Sequence, residues 1–150
     1  MPPAGAFIDT NLLVLLLVGS VDRNLVAQHR RTRNFVPEDY DRLVEIIDTL
    51  DKVFVTPNTL TETSNLLKGS QNVRMIIQLN LLAQQALEVY VASQIATNSS
   101  VFNRLGLTDA VLFESLSADR PLITVDLELY VAALAKGNKC AYNFTHRQSW

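Results

Sequence analysis

The hydrophobic pattern of the chain alternates short apolar runs with longer stretches of helical periodicity. Four short runs are rich in β-branched or aromatic residues and are bounded by polar or turn-forming residues, which predicts buried strands. They are AFID near the start, VFVT before Pro57, RPLITVD, and KCAYNF near the end. The first run passes directly into the apolar segment LLVLLLV, which predicts a helix.

The periodic stretches predict the other helices. In DRLVEIIDTL, apolar residues recur at helical spacing, and Pro57 opens a helix that extends to Leu67. One long helix is expected over residues 73 to 97, with Met75, Leu79 and Leu82 on its core side. Two more helices are expected in LGLTDAVLFESLS, with Thr108 as the N-cap and Asp109 in the first helical position, and in LELYVAALAKG, which ends at Gly137.

Strands that alternate with helices predict an α/β fold with a mostly parallel central sheet flanked by helices. Such sheets bind ligands at the carboxyl ends of their strands, near the point where the strand order reverses. No linker, repeat or low-complexity tract divides the sequence, so residues 1–150 are expected to form a single domain.

Composition is that of an ordinary globular protein, with 150 residues of which 48% are hydrophobic and 19% are charged. The single cysteine, Cys140, cannot form an internal disulfide, and its apolar neighbours favour a buried thiol in a reducing compartment. The longest aliphatic run, LLVLLLV, is much shorter than the ~20 residues of a membrane-spanning helix. We therefore expect a soluble cytoplasmic protein with no membrane partner.

Four acidic residues at the edges of apolar runs are the strongest candidates for chemistry: Asp9, Glu62, Asp109 and Asp126. Two follow predicted strands and two lie early in predicted helices, so a parallel sheet would bring all four to one rim. Each also has a local alternative, as a helix cap, a partner of the helix dipole or a surface residue. Together, like charges at one rim repel by roughly 1 kcal/mol per pair at 4 Å in water, and a cation removes that repulsion.

Oxygen ligands without an accompanying histidine or thiolate suit Mg²⁺ or Mn²⁺. Such ions support phosphodiester hydrolysis, because the metal activates a water molecule and stabilises charge on the leaving oxygen. An alternative chemistry uses Asp9 as a covalent nucleophile, as in haloacid-dehalogenase-like enzymes. Those enzymes have a second aspartate two residues later, where Asn11 stands here. Neither glycine pattern of nucleotide-binding loops occurs.

A basic cluster is the feature that favours a polyanionic partner. The net charge of −2 gives no overall attraction for nucleic acid, so any contact has to come from a local patch. Arg30, Arg31 and Arg33 follow His29 closely, with little acid nearby. The cluster is either a solvated loop or, beside a metal site, a set of contacts to an RNA backbone.

Four segments, AFIDTN, TETSNLL, GLTDA and ITVDLELY, resemble in order and context the motifs of the PIN domain family. The resemblance covers nearly the whole chain. It implies a Mg²⁺- or Mn²⁺-dependent ribonuclease, and the family includes the toxins of bacterial and archaeal toxin–antitoxin pairs. The segment from residue 19 to residue 39 is longer and richer in arginine than in a minimal toxin.

The resemblance also implies roles for individual residues. The four acids match the family's catalytic and metal-binding acids in order: Asp9, Glu62, Asp109 and Asp126. Asn11 would orient a ligand, Thr124 matches a hydroxyl residue common before the fourth acid, and Glu128 is either an outer contributor to the site or an exposed glutamate. Phe144 and Trp150 are candidates for stacking on a base, or for packing at the domain edge or against a partner.

The resemblance implies RNA as substrate, an antitoxin protein as a possible partner, and a homodimer. The apolar helix face from Leu12 to Val18 could form the dimer, although packing in the core explains it equally well. The alternative function is a catalytically inactive PIN-like scaffold or partner-binding module that keeps its acids.

Overall fold

The sheet at the centre of the fold is entirely parallel. A computed structural model describes residues 2–69 and 73–146, and within them five strands lie in the order β3-β2-β1-β4-β5. The predicted α/β fold with a central parallel sheet is confirmed. The strands are β1 Gly5–Ile8, β2 Lys52–Val55, β3 Leu87–Glu88, β4 Leu122–Thr124 and β5 Ala141–Asn143.

Helices connect the strands and cover both faces of the sheet. Between β1 and β2 a 3-10 turn, Arg23–Leu25, separates two α-helices. The α-helices are α1 Thr10–Val21, α2 Pro37–Asp48, α3 Pro57–Leu67, α4 Val73–Gln85, α5 Ser93–Thr97, α6 Phe102–Leu105, α7 Leu107–Ser115 and α8 Leu127–Lys136. Within residues 2–69 and 73–146, none of the helices has the length and apolar character needed to cross a membrane.

Alternating side chains of the strands divide the core into two layers. Ala6, Ile8 and Ile123 face one layer, where they pack with apolar residues of α1 and α2. Phe7 and Leu122 face the other layer, where they pack with residues of α7 and α8. The period of two along β1 therefore supports helices on both sides of the sheet, as the sequence predicts.

The first helix is a core element rather than a surface for a partner. It packs against α2, α3 and α4. Between Leu12 and Val18, every residue except Leu16 is at most 2% exposed. Of the two alternatives for this segment, the structure supports core packing, and the face is not available to a second copy.

The prediction of one helix over residues 73 to 97 is wrong. The helix α4 ends at Gln85, the edge strand β3 follows, and α5 begins at Ser93. The segment LEVYV is rich in β-branched and aromatic residues, which suit a strand. The open edge of β2 provides its partner, since the Val89 amide donates to the Val55 carbonyl over 2.8 Å. The pairing of β3 with β2 therefore outweighs the helical periodicity of the sequence, which continues through β3.

The prediction of Thr108 as an N-cap is also wrong. Helix α7 begins at Leu107 and its N-cap is Gly106, with φ of 88°. Glycine adopts this left-handed φ without a steric penalty, so the chain turns into the helix two residues earlier than predicted. Asp109 consequently lies within the first turn of α7 rather than at its first position.

Candidate metal centre

The strand order reverses between β1 and β4, and three of the predicted site residues lie there. The chain adds β2 and β3 on one side of β1, then crosses to add β4 and β5 on the other. Asp9 directly follows β1, Thr124 is the last residue of β4, and Asp126 lies two residues further. Parallel α/β sheets bind ligands at such a crevice, beside the carboxyl ends of the strands.

Asp9 is a buried carboxylate held by two hydrogen bonds. It is 6% exposed and caps α1, where its Oδ1 accepts from the Thr10 amide over 2.7 Å. Its Oδ2 accepts from the Thr124 hydroxyl over 2.5 Å, across the two central strands. Burial raises the pKa of Asp9 to about 6, although both hydrogen bonds favour the charged form. The two hydrogen bonds therefore orient the carboxylate, but they offset only part of the free energy that it loses on leaving water.

The Thr124 hydroxyl also fixes the start of α8. While it donates to Asp9, it accepts from the Asp126 amide over 2.9 Å. Asp126 in turn caps α8, with its Oδ1 accepting from the Leu129 amide over 3.1 Å. One fully buried hydroxyl thus links β1, β4 and α8, and sets where Asp126 stands relative to Asp9.

Glu62 and Asp109 approach from two helices that pack against each other, α3 and α7. Thr56 caps α3, because its hydroxyl accepts from the Thr59 amide over 3.1 Å. Glu62 follows in the second turn, where it is partly exposed, and Thr63 beside it is buried. Asp109 is likewise partly exposed in the first turn of α7. These caps place both carboxylates near the rim on which Asp9 and Asp126 lie.

Neighbouring acids raise the pKa values of Asp9 and Asp109. Burial raises the pKa of Asp109 to about 7, and the charges of Asp9, Asp126 and Glu62 raise it further in the same direction. The charges of Asp126 and Glu62 also raise the pKa of Asp9. Negative charges concentrated in a partly buried place repel one another, and this repulsion favours binding of a cation.

The described acids are close without forming a closed set of ligands. In residues 2–69 and 73–146, no group of three or more His, Cys, Asp or Glu side chains is arranged to hold an ion as it stands. Mg²⁺ keeps several water molecules and is usually bound through one or two carboxylates. The donor set of hard carboxylate oxygens and the mutual repulsion of the acids fit Mg²⁺ or Mn²⁺.

The supporting residues differ in their placement. Thr124 lies inside the hydrogen-bond network described above. Asn11 is exposed, one residue beyond Thr10, and lines a cleft beside the acids. Glu128 is exposed in the first turn of α8.

The arginine cluster is divided by the fold. Arg30 donates to the Lys68 carbonyl over 3.1 Å, so its guanidinium lies against the end of α3. Arg31 lines the same cleft as Asn11. Arg33 is exposed and does not line that cleft. The three arginines therefore do not form a single patch.

A cleft of about 460 Å³ adjoins the acids, and we call it the arginine cleft. It is lined by Asn11, Arg31, Asn34, Phe35, Asp39, Arg42, Val125, Phe144 and Thr145. Phe144 is 3% exposed, so it packs into the domain at this edge. Trp150, the other aromatic candidate, lies outside the described residues.

Three of these lining residues, Asn34, Phe35 and Arg42, were not predicted from the sequence. Arg42 lies on α2, in a helix predicted from its apolar period, where a single arginine resembles any solvent-facing residue. It becomes part of the cleft because β5 pairs with β4 and brings Phe144 beside α2. For Asn34 and Phe35 the sequence offered one weak indication of a role in binding, which is that they directly follow the basic cluster.

A second cleft, of about 800 Å³, adjoins the acids at Glu62. It is also lined by Asn58 and Asn65 of the same helix, by Tyr90 after β3, and by Thr108 beside Asp109. Open clefts therefore adjoin the acids at two places, which leaves room for an extended chain.

Comparison with known proteins does not assign a family. The chain matches no protein-family model, and no curated protein matches it above the significance threshold. The function has to be inferred from the side chains at the point where the strand order reverses, between β1 and β4.

Replacing Asp9 by asparagine should stabilise the metal-free protein at pH 8. Burial raises the folded-state pKa of Asp9 from 3.8 to about 6, so its favourable contribution is complete below pH 4 and is lost as the pH rises through 6. In EDTA, Asp9→Asn should exceed the wild type at pH 8 by on the order of 3 kcal/mol in free energy of unfolding. The advantage should shrink towards pH 4.5, as measured by urea denaturation.

Asp22→Asn is the matched control, because Asp22 also caps a helical turn but is exposed. Because Asp22 is exposed, Asp22→Asn should not reproduce the gain in free energy of unfolding that Asp9→Asn shows at pH 8. If Asp9→Asn is no more stable than the wild type at pH 8, the claim that the buried charge of Asp9 destabilises the metal-free protein is contradicted.

Proposed function

We propose that the protein is a metal-dependent endoribonuclease of PIN type, which hydrolyses RNA phosphodiesters. The observation that carries this proposal is the set of four acids near the point where the strand order reverses. Burial, together with the charges of the other three acids, raises the pKa of Asp109 to about 7. Repelling carboxylates in a crevice are suited to holding Mg²⁺ or Mn²⁺. The order and context of the four motifs resemble the PIN family, which supports the same conclusion.

Asp9, Glu62, Asp109 and Asp126 would hold the ion directly or through water. When bound, the ion supplies activation of the attacking water and stabilisation of the leaving oxygen. Thr124 keeps Asp9 and Asp126 in a fixed relation, through its hydrogen bonds of 2.5 and 2.9 Å. Catalysis of this kind depends on preorganised charge, so the rigid network around Asp9 is expected to matter as much as the acids themselves.

RNA fits the surroundings of the acids better than a small phosphate ester. Two open clefts flank the acids, and an extended polymer can occupy both while its backbone crosses the rim. One cleft is lined by Arg31, and a guanidinium is suited to binding phosphate. With an overall charge of −2, local arginines have to supply this attraction.

Asp9→Asn and Asp126→Asn should each reduce cleavage of single-stranded RNA by about 100-fold or more, since even outer contacts of a metal site cost 10–100-fold. Cleavage should require Mg²⁺ or Mn²⁺ and stop in EDTA. Activity is followed by gel electrophoresis of an end-labelled RNA. Asp22→Asn, which removes an exposed helix-capping acid, is the control and should retain wild-type activity.

Equal activity in the wild type, Asp9→Asn and Asp126→Asn would overturn the proposal. It would instead favour the catalytically inactive scaffold, because that alternative keeps the acids without using them. If the same samples of Asp9→Asn remain stably folded, unfolding is excluded as the cause of lost activity.

We also propose a homodimer that uses α4. Four apolar side chains on this helix are exposed at spacings of three, four and eight residues: Val73, Ile76, Ile77 and Leu81. They form one stripe, and a stripe of this kind can pair with its own copy about a twofold axis. An apolar patch left in water favours such association.

The role of toxin is a further part of the proposal, with an antitoxin protein as the partner and the cytoplasm as the location. It rests on the resemblance of the four motifs. A buried, unpaired Cys140 also suits the reducing conditions of the cytoplasm.

Sedimentation of the pure chain should show a dimer, and Ile76→Glu should give a monomer by placing a charge in the stripe. Val131→Glu, at an exposed apolar position on α8, is the control and should leave the dimer intact. A monomeric wild type, or a dimer that Ile76→Glu leaves intact, would contradict dimerisation through this stripe.

The toxin role has its own test, because adding the product of the adjacent gene should give a heavier complex.

A further inference from the structure

The arginine cleft is continuous with the acidic site. Asn11, which lines the cleft, lies two residues after Asp9 in the first turn of α1. Val125, also in the lining, stands between Thr124 and Asp126. A group bound in this cleft is therefore next to residues that adjoin Asp9 and Asp126 in the sequence.

The loop that forms one wall is fixed by buried contacts. Thr32 is completely buried, and its hydroxyl donates to the Val26 carbonyl over 2.7 Å. Val26 is itself completely buried in the core. Arg31 and Asn34 lie on either side of this anchor, so the wall is ordered before any ligand binds.

The opposite wall is formed by α2 and is held at two points. Arg23 binds both carboxylate oxygens of Asp41 at 2.9 to 3.0 Å, which ties the 3-10 turn to the helix. The neighbouring Arg42 donates to the Phe144 carbonyl over 2.5 Å, and its guanidinium lies 4.5 Å from the centre of the Phe144 ring. The first contact holds α2 against the 3-10 turn, and the second fixes the spacing between α2 and the end of β5.

The lining offers groups for each part of a nucleotide. Arg31 is exposed and forms no ion pair within residues 2–69 and 73–146, so its charge is available to phosphate. The cleft is also lined by Asp39, whose carboxylate accepts from the Val36 amide over 2.8 Å. Asn11 and Asn34 supply amide donors and acceptors, and Phe35 supplies an aromatic surface. The volume of about 460 Å³ lies within the usual range of small-ligand pockets, about 300–1,000 Å³.

We propose that the arginine cleft is a subsite for one nucleotide, in which Arg31 contacts a phosphate next to the scissile bond and the asparagines and Phe35 receive the base. This inference rests on the proposed ribonuclease function, because it places a neighbouring unit of the same RNA. Charge-assisted bonds from a guanidinium to phosphate are among the stronger polar contacts in proteins. The subsite would position the RNA, and the acids would act on the bond beside it.

Adenosine 3′,5′-bisphosphate is a suitable probe, since it carries both flanking phosphates but no phosphodiester to cleave. Its dissociation constant is measured by calorimetry with Mg²⁺ present. Arg31→Ala should weaken binding by about tenfold, and Arg31→Lys should fall between it and the wild type, because lysine lacks the bidentate fork. Lys139→Ala removes the same charge just before β5, at the opposite end of this strand from Phe144, and should leave binding unchanged.

Cleavage kinetics on RNA give the second readout. Arg31→Ala should raise KM by about tenfold with little change in kcat, which is the behaviour of a group that binds substrate and transition state equally. If Arg31→Ala and Lys139→Ala bind the probe equally well, the subsite is overturned even when Asp9→Asn is inactive. Tighter binding of an aspartate-rich peptide than of the bisphosphate would also overturn it, because the cleft would then belong to a protein partner.

Discussion

The hydrogen bond from the Thr124 hydroxyl to Asp9 is the interaction on which the site depends. It joins the two central strands at their carboxyl ends, at the point where the strand order reverses. The same hydroxyl accepts from the Asp126 amide, so one side chain positions two acids. Because the carboxylate of Asp9 is buried, its charge would be very unfavourable without the hydrogen bonds that it accepts from the Thr124 hydroxyl and the Thr10 amide. Even with them, burial of this charge raises the pKa of Asp9 to about 6.

This cost has a functional explanation in the surroundings of Asp9. Glu62 and Asp109 come from helices that pack together, and with Asp126 they concentrate negative charge at one rim. A stable protein gains nothing from such repulsion, whereas a protein that binds a divalent cation uses it as binding energy. The clefts that adjoin the acids leave the rim open, so a polymer can reach a bound ion. Buried charge and access therefore occur at the same place, as is usual for functional sites.

The sequence was sufficient for those parts of the molecule that local pattern determines. The strands before Asp9 and Asp126 follow from short apolar runs, and a parallel sheet brings their ends together. Residues 73 to 97 show where local pattern fails, because the edge of β2 recruits LEVYV into β3 across an apparent helical period. The arginine cleft was missed for a similar reason. Arg42 and Phe144 are about a hundred residues apart in the sequence, and only the pairing of β4 with β5 brings them together.

The central claim is that four separate acids form one site for a divalent cation. Calorimetric titration with Mn²⁺ tests it most directly, on the wild type and on Asp9→Asn, Glu62→Gln, Asp109→Asn and Asp126→Asn. The account predicts binding to the wild type, weakened by about tenfold or more in each variant. It also predicts release of protons to the buffer near pH 6.5, because Asp9 and Asp109 have pKa values of about 6 and 7 and binding of the ion displaces their protons. Mn²⁺ affinity that is the same in the wild type and all four variants would contradict it.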